Sequence, residues 1–170
     1  MGKILTLTRK MVLAFASSRI APPSIRNRIL NRLIGEVNLS AEICGGSFFT
    51  GNRIHIGENA FINNFCRFYS HIREGSEIFI GKNVVIAMGC TLTTHTHIIG
   101  NSGRRAPRDT ELKPIIIEEG CWIGANVTVL PGVRIGKGTV VGAGSVVVHD
   151  LDENSVYVGN PARKVKQLSK

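Results

Sequence analysis

Two histidines, His95 and His97, stand where an otherwise regular pattern gives way to a polar, basic stretch containing Gly100, Gly103, Arg104, Arg105, Pro107, Arg108 and Lys113-Pro114. An imidazole with an ordinary pKa of about 6.5 takes and returns protons near neutrality, so a histidine at the root of a loop suits general acid–base work. Neutral imidazoles also bind zinc, and His71, His95 and His97 are the set to weigh. His71 lies 24 or 26 residues upstream, and His95 and His97 are expected to point to opposite faces of an extended segment, so no metal is expected. Cys44, Cys66, Cys90 and Cys121 contain no Cys-x-x-Cys pair. That spacing argues against a zinc site and for a reduced, cytoplasmic setting. Gly142-Ala143-Gly144 looks like part of a nucleotide-binding turn, but no helix pattern follows it, and a dinucleotide fingerprint is disfavoured.

The pattern that the histidines interrupt has a period of six. Ile117, Ile123, Val129, Ile135, Val141 and Val147 recur without a slip. Val37, Ile43 and Phe49 form an earlier series. After a one-residue insertion Ile56, Ile62 and Phe68 resume it, and Ile80, Ile86 and Leu92 keep the phase, with Glu74 as the one bad member. Neither a helix nor a long amphipathic strand has this period; a coil of short parallel strands separated by corners does. Three hexads per turn would stack residues eighteen apart at the roughly 4.8 Å spacing of neighbouring strands. The fourth residue after each aliphatic is small, which makes Cys66, Cys90 and Cys121 core fillers. The one long break, between Leu92 and Ile117, is then an extruded loop, and a loop of that length in a tight coil is usually functional.

Ahead of the coil lies a basic arm. The chain has 170 residues, room for about one domain, and a net charge of +9. Lys3, Arg9, Lys10, Arg19, Arg26, Arg28 and Arg32 fall within residues 1–35, which contain no acid. Ile4, Leu7, Met11 and Phe15 have helical spacing. Pro22-Pro23 breaks the pattern, Ser24 is placed as an N-cap, and Ile25, Ile29 and Leu33 follow on one face before Gly35. The arm reads as two short basic amphipathic helices, expected either to cover the open end of the coil or to meet an anionic membrane surface or acidic polymer. No apolar run is long enough to span a membrane, and no convincing secretory signal is present. Met1-Gly2-Lys3-Ile4-Leu5-Thr6 fits only the loose myristoylation pattern.

Across residues 37–166 the sequence resembles the hexapeptide-repeat acyltransferases. The resemblance is carried by Cys121-Trp122-Ile123-Gly124-Ala125-Asn126, Leu130-Pro131-Gly132-Val133, Val141-Gly142-Ala143-Gly144-Ser145-Val146 and Gly159-Asn160-Pro161-Ala162-Arg163. Their order is similar to the galactoside, maltose and colanic-acid O-acetyltransferase branch. The resemblance implies an all-β, left-handed parallel β-helix with one extruded loop and a short N-terminal helical segment, divided into an arm at 1–35 and an acyltransferase domain at 36–170. It implies His97 as catalytic base, with His95 as second choice, and Asn64 within Ile62-Asn63-Asn64-Phe65 as the acceptor-orienting residue. It also places acetyl-CoA between the coils of a homotrimer. Trp122 would lie beside the thioester, Ala125, Ala143 and Gly144 along the pantetheine, and Arg163 and Lys166 toward the phosphate end.

The expected reaction is transfer of an acetyl group from acetyl-CoA to a sugar hydroxyl of a bacterial surface polysaccharide or its precursor. His97 would take the hydroxyl proton, and the Ala125 N–H would face the developing oxyanion. A serine or amino-sugar N-acetyltransferase is the nearest alternative. A γ-carbonic-anhydrase-like metalloenzyme and a non-catalytic polysaccharide-binding scaffold are more remote. No nucleic-acid partner is expected. The branch's sugar enzymes often have an acidic acceptor contact in their N-terminal cap, which an arm without an acid before Glu36 lacks.

Overall fold

The computed structural model describes residues 2–169, with side chains from Leu7 onward. Two helices, α1 (Gly2–Ser17) and α2 (Pro23–Leu33), precede a succession of short strands. The strands enter three sheets in rotation. The first sheet takes Gly35–Val37, Ile54–Ile56, Ile78–Ile80, Ile115–Ile117 and Arg134–Ile135. The second includes Glu42–Ile43, Phe61–Ile62, Val85–Ile86, Trp122–Ile123, Val140–Val141 and Ser155–Val158. The third takes Phe48–Thr50, Arg67–Tyr69, Thr91–Thr93, Thr128–Val129 and Val146–Val147. Pairing along these stacks is parallel; only the last strand, Arg163–Gln167, runs antiparallel, against Ser155–Val158.

The hexad aliphatics form the core. Ile43, Ile62, Ile86, Ile123 and Val141 stack in one column, each in register with the next and nearly or wholly buried. Phe49 lies over Phe68 with ring centroids 5.1 Å apart. Cys66, Cys90 and Cys121 are buried between the columns, as their spacing predicts. The eighteen-residue turn holds only late in the chain, where Trp122 pairs with Val140 and Thr128 with Val146. Phe61 instead pairs with Val85, because the segment around His71–Glu77 leaves the coil at a corner. Glu74 sits in that excursion, so it never was a core position; the excursion preserves the hexad phase because it lengthens the turn by one repeat unit.

Helix α2 closes the start of the coil differently from the expectation. Ser24 lies inside the helix; the chain enters through Pro22 with Pro23 in the first turn, where the missing N–H costs nothing. The buried face is Arg26, Asn27, Leu30 and Ile34, whereas Ile25 is exposed and Ile29 and Leu33 are only partly buried. The reason is Arg26: its guanidinium donates to the carbonyls of Ala16 (2.9 Å), Ser18 (2.8 Å), Ala21 (2.8 Å) and Ile43. Those acceptors include carbonyls left over at the end of α1, so a buried cation does the work of a C-cap. Helix α1 is turned the other way from a cap. Ala16 and Leu13 face the protein, while Leu7, Met11 and Phe15 face solvent. The side chain of Ile4 and the Met1–Thr6 pattern fall outside the described side chains. Among the described residues, no helix is long and apolar enough to cross a membrane.

Candidate active site

The long break in the hexads is an antiparallel hairpin. His95–His97 pairs with Thr110–Leu112, His95 opposite Leu112 and His97 opposite Thr110. The hairpin springs from the corner between the third and first sheets, where the Lys113 N–H donates to the Thr94 carbonyl. As residues two apart on one strand, His95 and His97 share a face of it, which corrects the expectation that they point apart. Their surroundings separate them. His97 Nδ1 lies 2.7 Å from the carbonyl oxygen of Pro107. A carbonyl only accepts, so Nδ1 must carry a proton, and Nε2 has no hydrogen-bond partner among the described residues. The ring of His95 has no hydrogen bond among the described residues.

A second group of predicted residues gathers along another corner, between the second and third sheets. The Gly89 N–H donates to the carbonyl of Asn64, that of Asn126 to Met88, and that of Gly144 to Ala125. Asn64, Met88, Ala125 and Ala143 therefore occupy equivalent places on successive turns. Gly124 makes the close stacking possible, since a Cβ there would sit 2.6 Å from the Ala143 nitrogen. The N–H groups of Ala125 and Ala143 have no acceptor among the described residues, and Ala143 and Gly144 are exposed. They form a short row of unspent donors. Trp122 is 56% exposed on the second sheet, between Val85 and Val140. Arg163 pairs with Val158, whose side chain lies against Gly142, and so stands at the far end of this corner. Lys166 pairs with Val156 at the other end of the same strand.

Asn64 is half-buried, and its Nδ2 donates to the Gly45 carbonyl at 2.7 Å, which leaves its Oδ1 available as an acceptor. It lines a cavity of about 240 Å³ with Arg19, Arg26, Glu42 and Gly45. Gly45 fits there only as glycine: a Cβ would lie 2.5 Å from the Arg19 Cα. Two further residues belong to this corner, and the second of them is new from the structure. Phe65 holds φ at 63° although bulky, and it is half exposed beside Asn64. Met88 is exposed at the register position between Asn64 and Ala125. The signal for Met88 in the sequence was register alone, hidden by the His71–Glu77 excursion that separates it from Asn64.

The buried thiols take no part in this arrangement. Burial raises the pKa of Cys121 to about 11, so it is protonated at neutral pH, and its Sγ lies against the Gly136 carbonyl. Among the described residues no group of three or more His, Cys, Asp or Glu side chains is placed to hold a metal ion. The two groups of predicted residues, hairpin histidines and amide corner, are on different corners of one chain. No hydrogen bond joins them among the described residues.

A three-sheet coil of parallel hexads is the fold that this chain shares with known acetyltransferases. Residues 114–149 match the family described as bacterial transferase hexapeptide (six repeats). The chain is 31% identical over 157 residues to the galactoside O-acetyltransferase of Lactococcus lactis, covering 91% of this chain and 73% of that protein. Among solved structures, a maltose O-acetyltransferase from Clostridium difficile superposes with a TM-score of 0.78 at 31% identity, covering 96% of this chain and 86% of that one. A hexapeptide-repeat acetyltransferase from Vibrio cholerae, complexed with acetyl coenzyme A, superposes with a TM-score of 0.77 at 27% identity, covering 96% and 87%. The chain belongs to the hexapeptide-repeat acetyltransferase family. It is an acyltransferase.

Proposed function

We propose that this enzyme transfers the acetyl group of acetyl-CoA to a sugar hydroxyl, directly and without a covalent enzyme intermediate, with His97 as the base. The observation that carries the reading is the Nδ1 bond of His97 to the Pro107 carbonyl, which presents Nε2 as the proton acceptor at the root of the hairpin. His97 removes the hydroxyl proton as the oxygen attacks the thioester carbonyl, and returns it to the departing sulfur. The Ala125 N–H donates to the carbonyl oxygen as it gains charge. Asn64 accepts a hydrogen bond from the acceptor through Oδ1, and His95 lines the approach.

The co-substrate acetyl-CoA fits the amide corner on the chemistry of its donors. Its pantetheine arm carries amide carbonyls that need N–H partners, and with the Ala125 N–H given to the thioester the Ala143 N–H is the free donor for them, with Gly144 leaving open space beside it. Trp122 gives the thioester end an apolar wall, while Arg163 and Lys166 supply positive charge for the phosphates.

In this reading the coil is left-handed, three copies associate, and each active site lies where the hairpin of one copy meets the amide corner of its neighbour. Residues 36–170 form the transfer domain and residues 1–35 an accessory arm. The acceptor is a sugar of a surface polysaccharide or its precursor: the galactoside and maltose enzymes above support a sugar, and the basic arm suits a glycan assembled at the cytoplasmic face of a membrane. Four free cysteines support a cytoplasmic setting.

The test is a panel of mono- and oligosaccharides incubated with radiolabelled acetyl-CoA and either the wild-type chain or His97→Ala. Label on a sugar hydroxyl that the variant fails to deliver is the expected result. Label found only on amines, or equally with both proteins, would overturn it.

A further inference from the structure

Helix α1 is amphipathic in the inverse sense. Toward the protein it turns Arg9, whose guanidinium donates to the carbonyls of Leu33 (2.7 Å) and Gly51 (3.1 Å), together with Leu13 and the fully buried Ala16. Toward solvent it turns Leu7, Met11 and Phe15, at 61%, 66% and 47% exposure, which repeat every four residues along one face. A helix that serves only as a cap would present its apolar row inward, and here a backbone-binding arginine has that place. The apolar face needs another partner.

Charge identifies its chemistry. Residues 1–35 contain seven bases and no acid. Two of the bases are spent on backbone carbonyls of the fold, Arg26 in the interior and Arg9 at the surface. Lys10 on α1 and Arg28 and Arg32 on the outer side of α2 are exposed, and none of them forms an ion pair among the described residues. Ile20 and Ile25, between and on the helices, add exposed apolar surface at 84% and 48%. A large apolar row on a helix pair that also exposes unpaired positive charge matches an anionic lipid surface, where apolar side chains enter the acyl boundary and bases meet the headgroups. An uncharged protein surface would leave those bases unused.

We infer that α1 is an in-plane membrane contact: Leu7, Met11 and Phe15 insert into an anionic bilayer, with Lys10, Arg28 and Arg32 against its phosphates. This rests on the proposed glycan reading for its purpose, but not for its geometry. The coil is held away from the surface at the end where α2 closes it, which brings the first turns of the coil, with Asn64, nearest to a lipid-linked acceptor.

The full chain should sediment with vesicles of mixed phosphatidylglycerol and phosphatidylcholine at low ionic strength, and only weakly with phosphatidylcholine alone. Met11→Ser with Phe15→Ser should weaken binding by at least about tenfold, since each large apolar side chain contributes on that order when buried. Lys10→Gln with Arg28→Gln should weaken it by about fivefold per charge and flatten its salt dependence. Both variants should keep the circular dichroism spectrum, the mass and the transfer of acetyl to a soluble acceptor, which separates failure of this inference from failure of the catalytic reading. Wild-type chain that ignores anionic vesicles, or variants that bind as well as wild type, would overturn the inference. So would a fall in mass on Met11→Ser with Phe15→Ser, because the face would then be covered by a second copy.

Discussion

At the scale of single residues, His95 and His97 share a strand, a face and an exposure, and they differ in one hydrogen bond. The Pro107 carbonyl fixes the tautomer and direction of His97, whereas His95 is free to turn. His97→Ala should therefore lower kcat by about 10²–10⁴-fold, the usual cost of losing a positioned general base, while His95→Ala costs less. Steady-state kinetics on both variants, with folding checked by circular dichroism, decides this; equal small losses would mean that neither ring is the base. The two candidates were legible from their place at the break in the hexads. What ranks them by contact was not, because Pro107 lies ten residues away across a loop whose path the sequence does not define. Arg26 was illegible for a similar reason: in sequence it is one more base of the arm, and only the fold turns four carbonyls toward it.

At the scale of elements, the hexads were readable because each aliphatic answers to the same neighbour above and below, so that one rule repeats through the coil. The helices answer to no such rule. Their spacing was right, but the choice of inward face depended on the carbonyls available at the coil's end, and those belong to the tertiary structure. Leu30 carries the closing role, wholly buried against the first turn. Leu30→Ala should destabilise the chain by about 2–5 kcal/mol, while Phe15→Ala should stay within about 0.5 kcal/mol. Chemical denaturation of the two variants measures the contrast. Another element-scale feature is the charge ladder on the corner between the first and second sheets, where Glu118 meets Arg134 and the Lys137 N–H, and Glu119 meets Lys82 and Lys137. Arg134 holds the Glu118 carboxyl below the ordinary carboxylate range. A carboxyl lowered in the folded state stabilises above its unfolded pKa and loses that contribution as pH falls toward its folded value. The melting temperature should drop as pH is lowered from about 5 to 3, and Glu118→Gln should make that drop shallower. A melting curve equally steep in the variant would assign the acid sensitivity elsewhere.

At the scale of the whole molecule, the proposed chemistry draws on two groups at different corners of one chain: the histidine hairpin between the third and first sheets, the free amides between the second and third. Symmetric association of identical chains is the common way for such halves to meet, since every copy offers each half to a neighbour. Light scattering should give the mass of three copies. The shared site itself is tested most directly by co-expressing two variants that are inactive alone. His97→Ala removes the base from one set of chains. Ala143→Glu, at an exposed position, places a charged side chain across the amide corner of the other. If His97 of one copy works on acetyl-CoA held by the next, mixed assemblies regain about a quarter of wild-type transfer, the share of intact pairings in random association. If base and amide corner act within a single chain, the mixed assemblies remain as inactive as either variant alone.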